Sequence, residues 1–331
     1  MAPILKNGEV LRGRYKIREH IGQGGAGSIY LADDLRLVGR VCALKEVEYD
    51  RSLPDDIREE ARQQFMREAT ILARLDHPNL PKVSDFFSND IRDYLVMDYV
   101  PGDDLRTMML NARREKRFLS ESKVLDWTRQ LANALTYLHN QQPSIVHRDI
   151  KPSNLKITPT GLLKLVDFGL VKILAPEEVT ITVIQGQGTA LYTPIEQYGS
   201  DEAHTDARSD IYSFGATLYH ILTNEPPADA RKRFLHPDSL KPPRQINSSI
   251  SPRTEKAILW AMSLHPDERP SSVEAFTDYL FGEHEMPTYS RPAQTAFDIP
   301  RFEIFGHQVD TLLIWTSAGL LLLSLIATLT R

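Results

Sequence analysis

The chain has 331 residues, 41% hydrophobic and 25% charged, enough apolar material to bury the core of two domains or two lobes. A net charge of −5 and a pI near 6.1 exclude a dedicated nucleic-acid binder, which would carry a basic face. Cys42 is the single cysteine, so no intrachain disulfide exists and a reducing compartment fits. Its apolar, strand-like surroundings read as those of a small buried hydrophobe rather than a reactive thiol.

Residues 1–14 form an N-terminal extension without the apolar core of a signal peptide. Tyr15 to Ile21 alternates as a strand. The run Gly22, Gln23, Gly24, Gly25, Ala26, Gly27 follows, and Ser28 to Ala32 reads as a second strand containing Ile29. A dinucleotide-binding fold would open a helix at the third glycine; a strand opens here, so these glycines occupy a hairpin turn where backbone can approach phosphates. Val41 to Lys45, with Ala43 inside it, is a third strand and ends in a lysine. The helical run from Ile57 to Leu75 places Phe65, Ile71, Leu72 and Leu75 on one side, with Glu68 pointing the same way as Leu72.

Leu80 to Phe87 and Asp93 to Tyr99 read as two further strands, and the stretch Asp98 to Gly102 links them to a mainly helical half. Ser122 to His139 is amphipathic, with Leu125, Leu131, Leu135 and Leu138 on one stripe. The basic run Arg113 to Arg117 reads as an exposed helix end or loop. The densest chemistry lies between His147 and Gly169: His147-Arg148-Asp149-Ile150-Lys151-Pro152-Ser153-Asn154, a short β-rich run, then Asp167-Phe168-Gly169. Phosphoryl transfer from ATP needs a carboxylate that orients a hydroxyl and accepts its proton, and oxygen ligands for magnesium. The two motifs, in this order and a hairpin apart, make a specific signal.

On these residues the chain resembles the protein kinase family, most closely its bacterial serine/threonine branch, over about Tyr15 to Leu280. The resemblance implies an α+β, bilobal protein kinase fold. A small β-rich N-lobe (15–97) and a hinge (98–102) would lead to a larger helical C-lobe (103–280). It also implies a set of roles. Asp149 is the catalytic base and Lys151 neutralises charge on the γ-phosphate; Lys45 holds the α- and β-phosphates and pairs with Glu68 in the active enzyme. Asn154 and Asp167 ligate Mg2+, with Mn2+ an alternative. ATP would lie against Ile21 to Gly27, Ile29, Ala43, Met97, Asp98 and Val100, with Asp104 or its neighbour Asp103 on the ribose and Lys156 under the adenine.

His147, Phe168, Leu72 and Val83 match the family's stacked apolar column, and Asp210 matches its buried acid beneath the catalytic loop. Such a carboxylate needs hydrogen-bond donors around it. Arg148 would meet a phosphate on Thr180 or Thr182 in the activation segment, the two candidate autophosphorylation sites. Thr189 would contact Asp149 and Lys151, and Glu196 would pair with Arg269. Two positions depart from the pattern: Lys156 stands where an apolar residue is usual, and Thr193-Pro194-Ile195-Glu196 lacks a small residue before the glutamate. The aliphatic stem of Lys156 could still cover the adenine.

Residues 281–310 carry several prolines and little periodicity and read as a juxtamembrane linker. Residues 311–330 hold no charge and no proline. As a helix they would extend about 30 Å, the thickness of a bilayer core, and so form one C-terminal transmembrane helix in contact with membrane lipid. The expected protein is a single-pass membrane kinase with its catalytic domain on the cytoplasmic side. It would act on protein substrates and not on nucleic acid, with a homodimer serving trans-autophosphorylation. Its rivals are a pseudokinase, disfavoured because base, magnesium aspartate and strand lysine are all present, and a small-molecule kinase, disfavoured by the segment Gly188 to Glu196.

Overall fold

The computed structural model describes residues 4–24, 27–49, 54–89, 92–167, 172–173, 190–198, 205–282, 301–304 and 307–310. A six-stranded sheet opens the chain in the order β1-β2-β3-β4-β6-β5, each neighbour antiparallel: β1 (Val10–Leu11), β2 (Tyr15–Gly24), β3 (Gly27–Asp34), β4 (Val41–Glu48), β5 (Val83–Asn89) and β6 (Arg92–Asp98). The strand alternation of β4 divides its residues between two cores. Cys42 and Leu44 join Tyr15, Ile17, Tyr30, Phe87 and Tyr94 on one face; Ala43 and Val47, and Lys45 with them, face helix α1 (Asp55–Arg74) and the second lobe. Cys42 is buried, its Sγ lying 3.5 Å from the Ala32 carbonyl, and burial pushes the thiol up to about 11.

The helical lobe comprises α2 (Leu105–Arg114), α3 (Glu121–His139), α4 (Ala207–Thr223), α5 (Ala230–Leu235), α6 (Pro243–Ile246), α7 (Pro252–Ala261) and α8 (Val273–Phe281). Short antiparallel pairs, β7 (Ile145–Val146) with β10 (Lys172–Ile173) and β8 (Leu155–Ile157) with β9 (Leu163–Leu165), join the helices. α4 supplies the centre: Ile211, Tyr212, Phe214, Ala216 and Leu218 are all buried. The result is a bilobal fold, β-rich then helical. α3 begins one residue before the expected Ser122, with Ser120 as N-cap accepting from Lys123 N–H.

Several expected boundaries are corrected. The sheet starts before Tyr15, because Val10–Leu11 pairs with Lys16 and Tyr15 and buries Leu11 in the N-lobe. Leu80 to Lys82 is not strand: Leu80 N–H closes a turn on the His77 carbonyl, and Pro81 has no N–H for a ladder. Asp98 is the last residue of β6, opposite Cys42, so the hinge begins at Tyr99. The linker reading of 281–310 gives way at its end to an antiparallel hairpin, β11 (Arg301–Ile304) with β12 (His307–Asp310). The sequence between them is Phe305-Gly306, a two-residue connection with the glycine such hairpins favour. Among the described residues no helix is long and apolar enough to cross a membrane; 311–330 lie outside them.

Candidate active site

Asp210, in the first turn of α4, organises the catalytic loop. It is fully buried, and its Oδ2 meets His139 Nε2 and the His147 N–H while Oδ1 accepts the Arg148 N–H, each at 2.8 Å. These are the donors a buried carboxylate requires. Burial would raise its carboxyl, but His139, His147 and that backbone N–H hold it below the usual range. They also secure Arg148 at φ 65, a left-handed conformation that costs a non-glycine residue roughly 1–2 kcal/mol. His147 is completely buried, and that burial lowers its pKa.

The next residues carry the chemistry. Asp149 Oδ2 accepts from Lys151 Nζ at 2.8 Å and from Asn154 Nδ2 at 2.9 Å. Asn154 Nδ2 also reaches the Asp149 carbonyl at 2.8 Å, closing the loop on itself. Among the described residues the second oxygen, Oδ1, is buried and meets no hydrogen-bond donor. The Val166 N–H bonds the Asn154 carbonyl at 2.8 Å, tying this loop to the strand end that presents Asp167.

Asp167 is the second left-handed residue of the site, at φ 59. Its Oδ1 pairs with Lys45 Nζ. Burial acts to raise its carboxyl, yet the Lys45 ammonium, with Lys151 and His147 beyond it, holds it low and ionised. The pairing seen for Lys45 is thus with Asp167, and the pair with Glu68, expected of the active enzyme, is not among the described ion pairs. Glu68 Oε1 instead accepts from Gln64 Nε2 at 3.0 Å, one turn earlier on α1. Glu68 is 5% exposed, and burial pushes its carboxyl up to about 7 against the pull of Gln64, Arg148, Lys45 and Arg67.

The residues expected around ATP assemble along the seam between the lobes. Ala43 and Met97 are cross-strand partners, both buried, and Val100 is buried just beyond. Gly27 has φ +148, and a Cβ there would sit 2.0 Å from the Glu46 carbonyl oxygen, so only glycine lets β3 approach β4 at the loop. Ile21 is exposed at the same edge; Gly25 and Ala26 lie outside the described residues. Gly102, at φ +105, presses against Ile157, and the Ile157 N–H bonds the Asp103 carbonyl. This contact brings Lys156 beside Asp104 in a single antiparallel bridge, with its Nζ 5.9 Å from the centroid of Tyr99. Asp104 carries a duty the sequence reading missed: it caps α2, accepting from Thr107 N–H at 2.8 Å and Thr107 Oγ1 at 3.1 Å. Its Asp-x-x-Thr spacing before a helical run was the available signal.

Asn154 and Asp167 offer hard oxygen donors, the chemistry that suits Mg2+ shared with phosphate oxygens and water. Among the described residues no three His, Cys, Asp or Glu side chains gather as a metal site. On the substrate side, Glu196 and Arg269 form a bidentate pair at 2.6 and 2.9 Å, with Ser209 Oγ 2.8 Å from Glu196 Oε1. Arg269 also donates to the carbonyls of Ser263, Arg208 and Leu264. Leu72, Val83 and His147 are each buried. Phe168, Thr180, Thr182 and Thr189 lie outside the described residues.

Comparison with known proteins agrees with this geometry. The family model described as "Protein kinase domain" matches residues 15–281. A probable serine/threonine-protein kinase of Clostridium acetobutylicum is 35% identical over 87% of this chain and 44% of its own length. The tyrosine-protein kinase MasK of Myxococcus xanthus is 30% identical over 81% of this chain and 42% of its own. The chain thus spans less than half the length of these relatives. The crystal structure of the Mycobacterium tuberculosis PknI kinase domain, 27% identical, superposes with a TM-score of 0.65 over 85% of this chain and 99% of that one. Fold, loop geometry and sequence match converge: the chain belongs to the protein kinase family.

Proposed function

We propose that the protein transfers the γ-phosphoryl group of ATP to serine or threonine hydroxyls of protein substrates. The observation that carries this reading is the asymmetry of Asp149: Lys151 and Asn154 hold one oxygen, and the other is a buried acceptor that meets no donor among the described residues. An acceptor hydroxyl donating to Oδ1 would be oriented for attack, and Asp149 would take its proton as the new bond forms. Lys151 balances charge at the same carboxylate. Lys45, now on Asp167, would meet the nucleotide phosphates, after which Glu68 becomes its counterion. Asn154 and Asp167 would hold Mg2+, which when bound offsets phosphate charge.

Autophosphorylation at Thr180 or Thr182 belongs to the same reading, with Arg148 as the cation that meets the phosphate and a homodimer as the arrangement for transfer in trans. The uncharged, proline-free residues 311–330 support a C-terminal membrane anchor that leaves the kinase domain on the cytoplasmic side. Incorporation of radiolabel from γ-labelled ATP into casein, followed by phosphoamino-acid analysis, tests the function. Phosphoserine or phosphothreonine is expected. Phosphotyrosine alone would shift the acceptor to tyrosine, the residue in the name of the Myxococcus relative, and no label at all would refute the reading. Deleting 311–331 should move the protein from the membrane fraction to the soluble one.

A further inference from the structure

α4 is apolar for most of its length, yet one stripe of it is polar. Asp210, Ser213 and Thr217 recur at helical spacing and are 0%, 2% and 0% exposed. Each reaches across to backbone of a segment flanking the catalytic loop. Asp210 holds the N–H groups of His147 and Arg148, Ser213 Oγ donates to the Tyr192 carbonyl at 2.8 Å, and Thr217 Oγ1 donates to the Ile150 carbonyl at 3.2 Å. Ile150 is the residue between Asp149 and Lys151.

A buried helical threonine has a cheaper option, the carbonyl four residues back on its own helix. This chain uses that option elsewhere: Thr128 bonds Val124 O at 2.8 Å, Thr223 bonds Tyr219 O at 2.7 Å and Thr277 bonds Val273 O at 3.1 Å. Thr217 does not; its hydroxyl leaves the helix for the loop. No other hydrogen bond among the described residues reaches the Ile150 carbonyl. Among the described residues, the carbonyl of the peptide plane that joins Ile150 to Lys151 is thus held by one side-chain hydroxyl. That plane sets where Lys151 stands relative to Asp149, whose Oδ2 it meets at 2.8 Å.

We propose that Thr217 is a positioning residue for phosphoryl transfer: its hydroxyl, anchored on the rigid α4, fixes the relative placement of Asp149 and Lys151. The inference rests on the kinase reading above and adds a residue outside the catalytic motifs. It differs from a purely structural role in what it moves. Misplacing a catalytic pair lowers turnover while leaving nucleotide affinity intact, since among the described hydrogen bonds none joins Thr217 to the residues lining the ATP seam.

The test compares the full-length wild type with Thr217→Val, which keeps the shape and drops the hydroxyl, and Thr217→Ser, which keeps the hydroxyl. Turnover of γ-phosphate onto casein and the KM for ATP are measured for each, with the ADP-induced thermal shift as the check on folding. T217V should lose about tenfold in kcat with KM for ATP within twofold of wild type, and T217S should stay within twofold on both. Wild-type kcat in T217V, or equal losses in T217V and T217S, would overturn the inference. Were T217V not to melt cooperatively, Thr217→Ala takes its place under the same criteria. A wild type that transfers no phosphate would instead refute the kinase reading itself.

Discussion

Replacing Glu68 by glutamine probes the least expected feature of the site, a buried carboxyl that accepts from Gln64. Its pKa rises from an ordinary 4.5 to about 7, with burial as the main cause. The folded protein therefore keeps a proton on Glu68 over a window in which the unfolded chain has released it. Stability from the neutral carboxyl is full below 4.5 and is lost as pH rises through about 7. A shift of this size is worth about 3 kcal/mol at about 1.4 kcal/mol per unit. Glu68→Gln preserves the shape and the hydrogen bond from Gln64 but cannot ionise. Urea unfolding of both proteins at pH 5, 6, 7 and 8 isolates the effect, because other titrating groups cancel in the difference. The two should be similar near pH 5, with E68Q the more stable by up to about 3 kcal/mol at pH 8. A wild-type minus E68Q difference that stays constant from pH 5 to 8 would refute the reasoning.

Three further outcomes follow from the geometry. Arg269→Lys keeps the charge but replaces a planar fork that serves Glu196 and the carbonyls of Ser263, Arg208 and Leu264. Urea unfolding should show a loss of about 1–3 kcal/mol, as for buried acceptors left without their donors. Gly27→Ala places a Cβ 2.0 Å from the Glu46 carbonyl, so β3 must move at the loop; nucleotide affinity, read by fluorescence of a labelled ATP analogue, should fall. Asp210→Asn removes the ion that anchors two backbone N–H groups of the catalytic loop, and kcat should fall at least tenfold with KM for ATP unchanged in steady-state assays.

The catalytic centre was legible wherever residue spacing along one loop fixes geometry. Asp149, Lys151 and Asn154 lie within a single turn of chain, so the motif already determines that their side chains meet. Lys45 was legible too, because strand alternation decides which face it shares with Ala43 and Val47. Partner choice was less so. Lys45 pairs with Asp167, a carboxylate 122 residues away in the chain, and such a meeting is a property of tertiary packing. Ser213 and Thr217 looked like ordinary helix residues, since the carbonyls they reach belong to distant segments. Val10–Leu11 and the hairpin from Arg301 to Asp310 were hidden for another reason: strands this short leave almost no periodicity to read.

The central claim is that Asp149 accepts the proton of the attacking hydroxyl through its open oxygen. Single-turnover transfer from labelled ATP by wild type and Asp149→Asn, alongside direct measurement of ATP binding, tests it most directly. The account predicts a rate lowered by roughly 10²–10⁴ in D149N with ATP affinity within a few fold of wild type. Equal transfer rates for the two proteins, with both binding ATP, would contradict it.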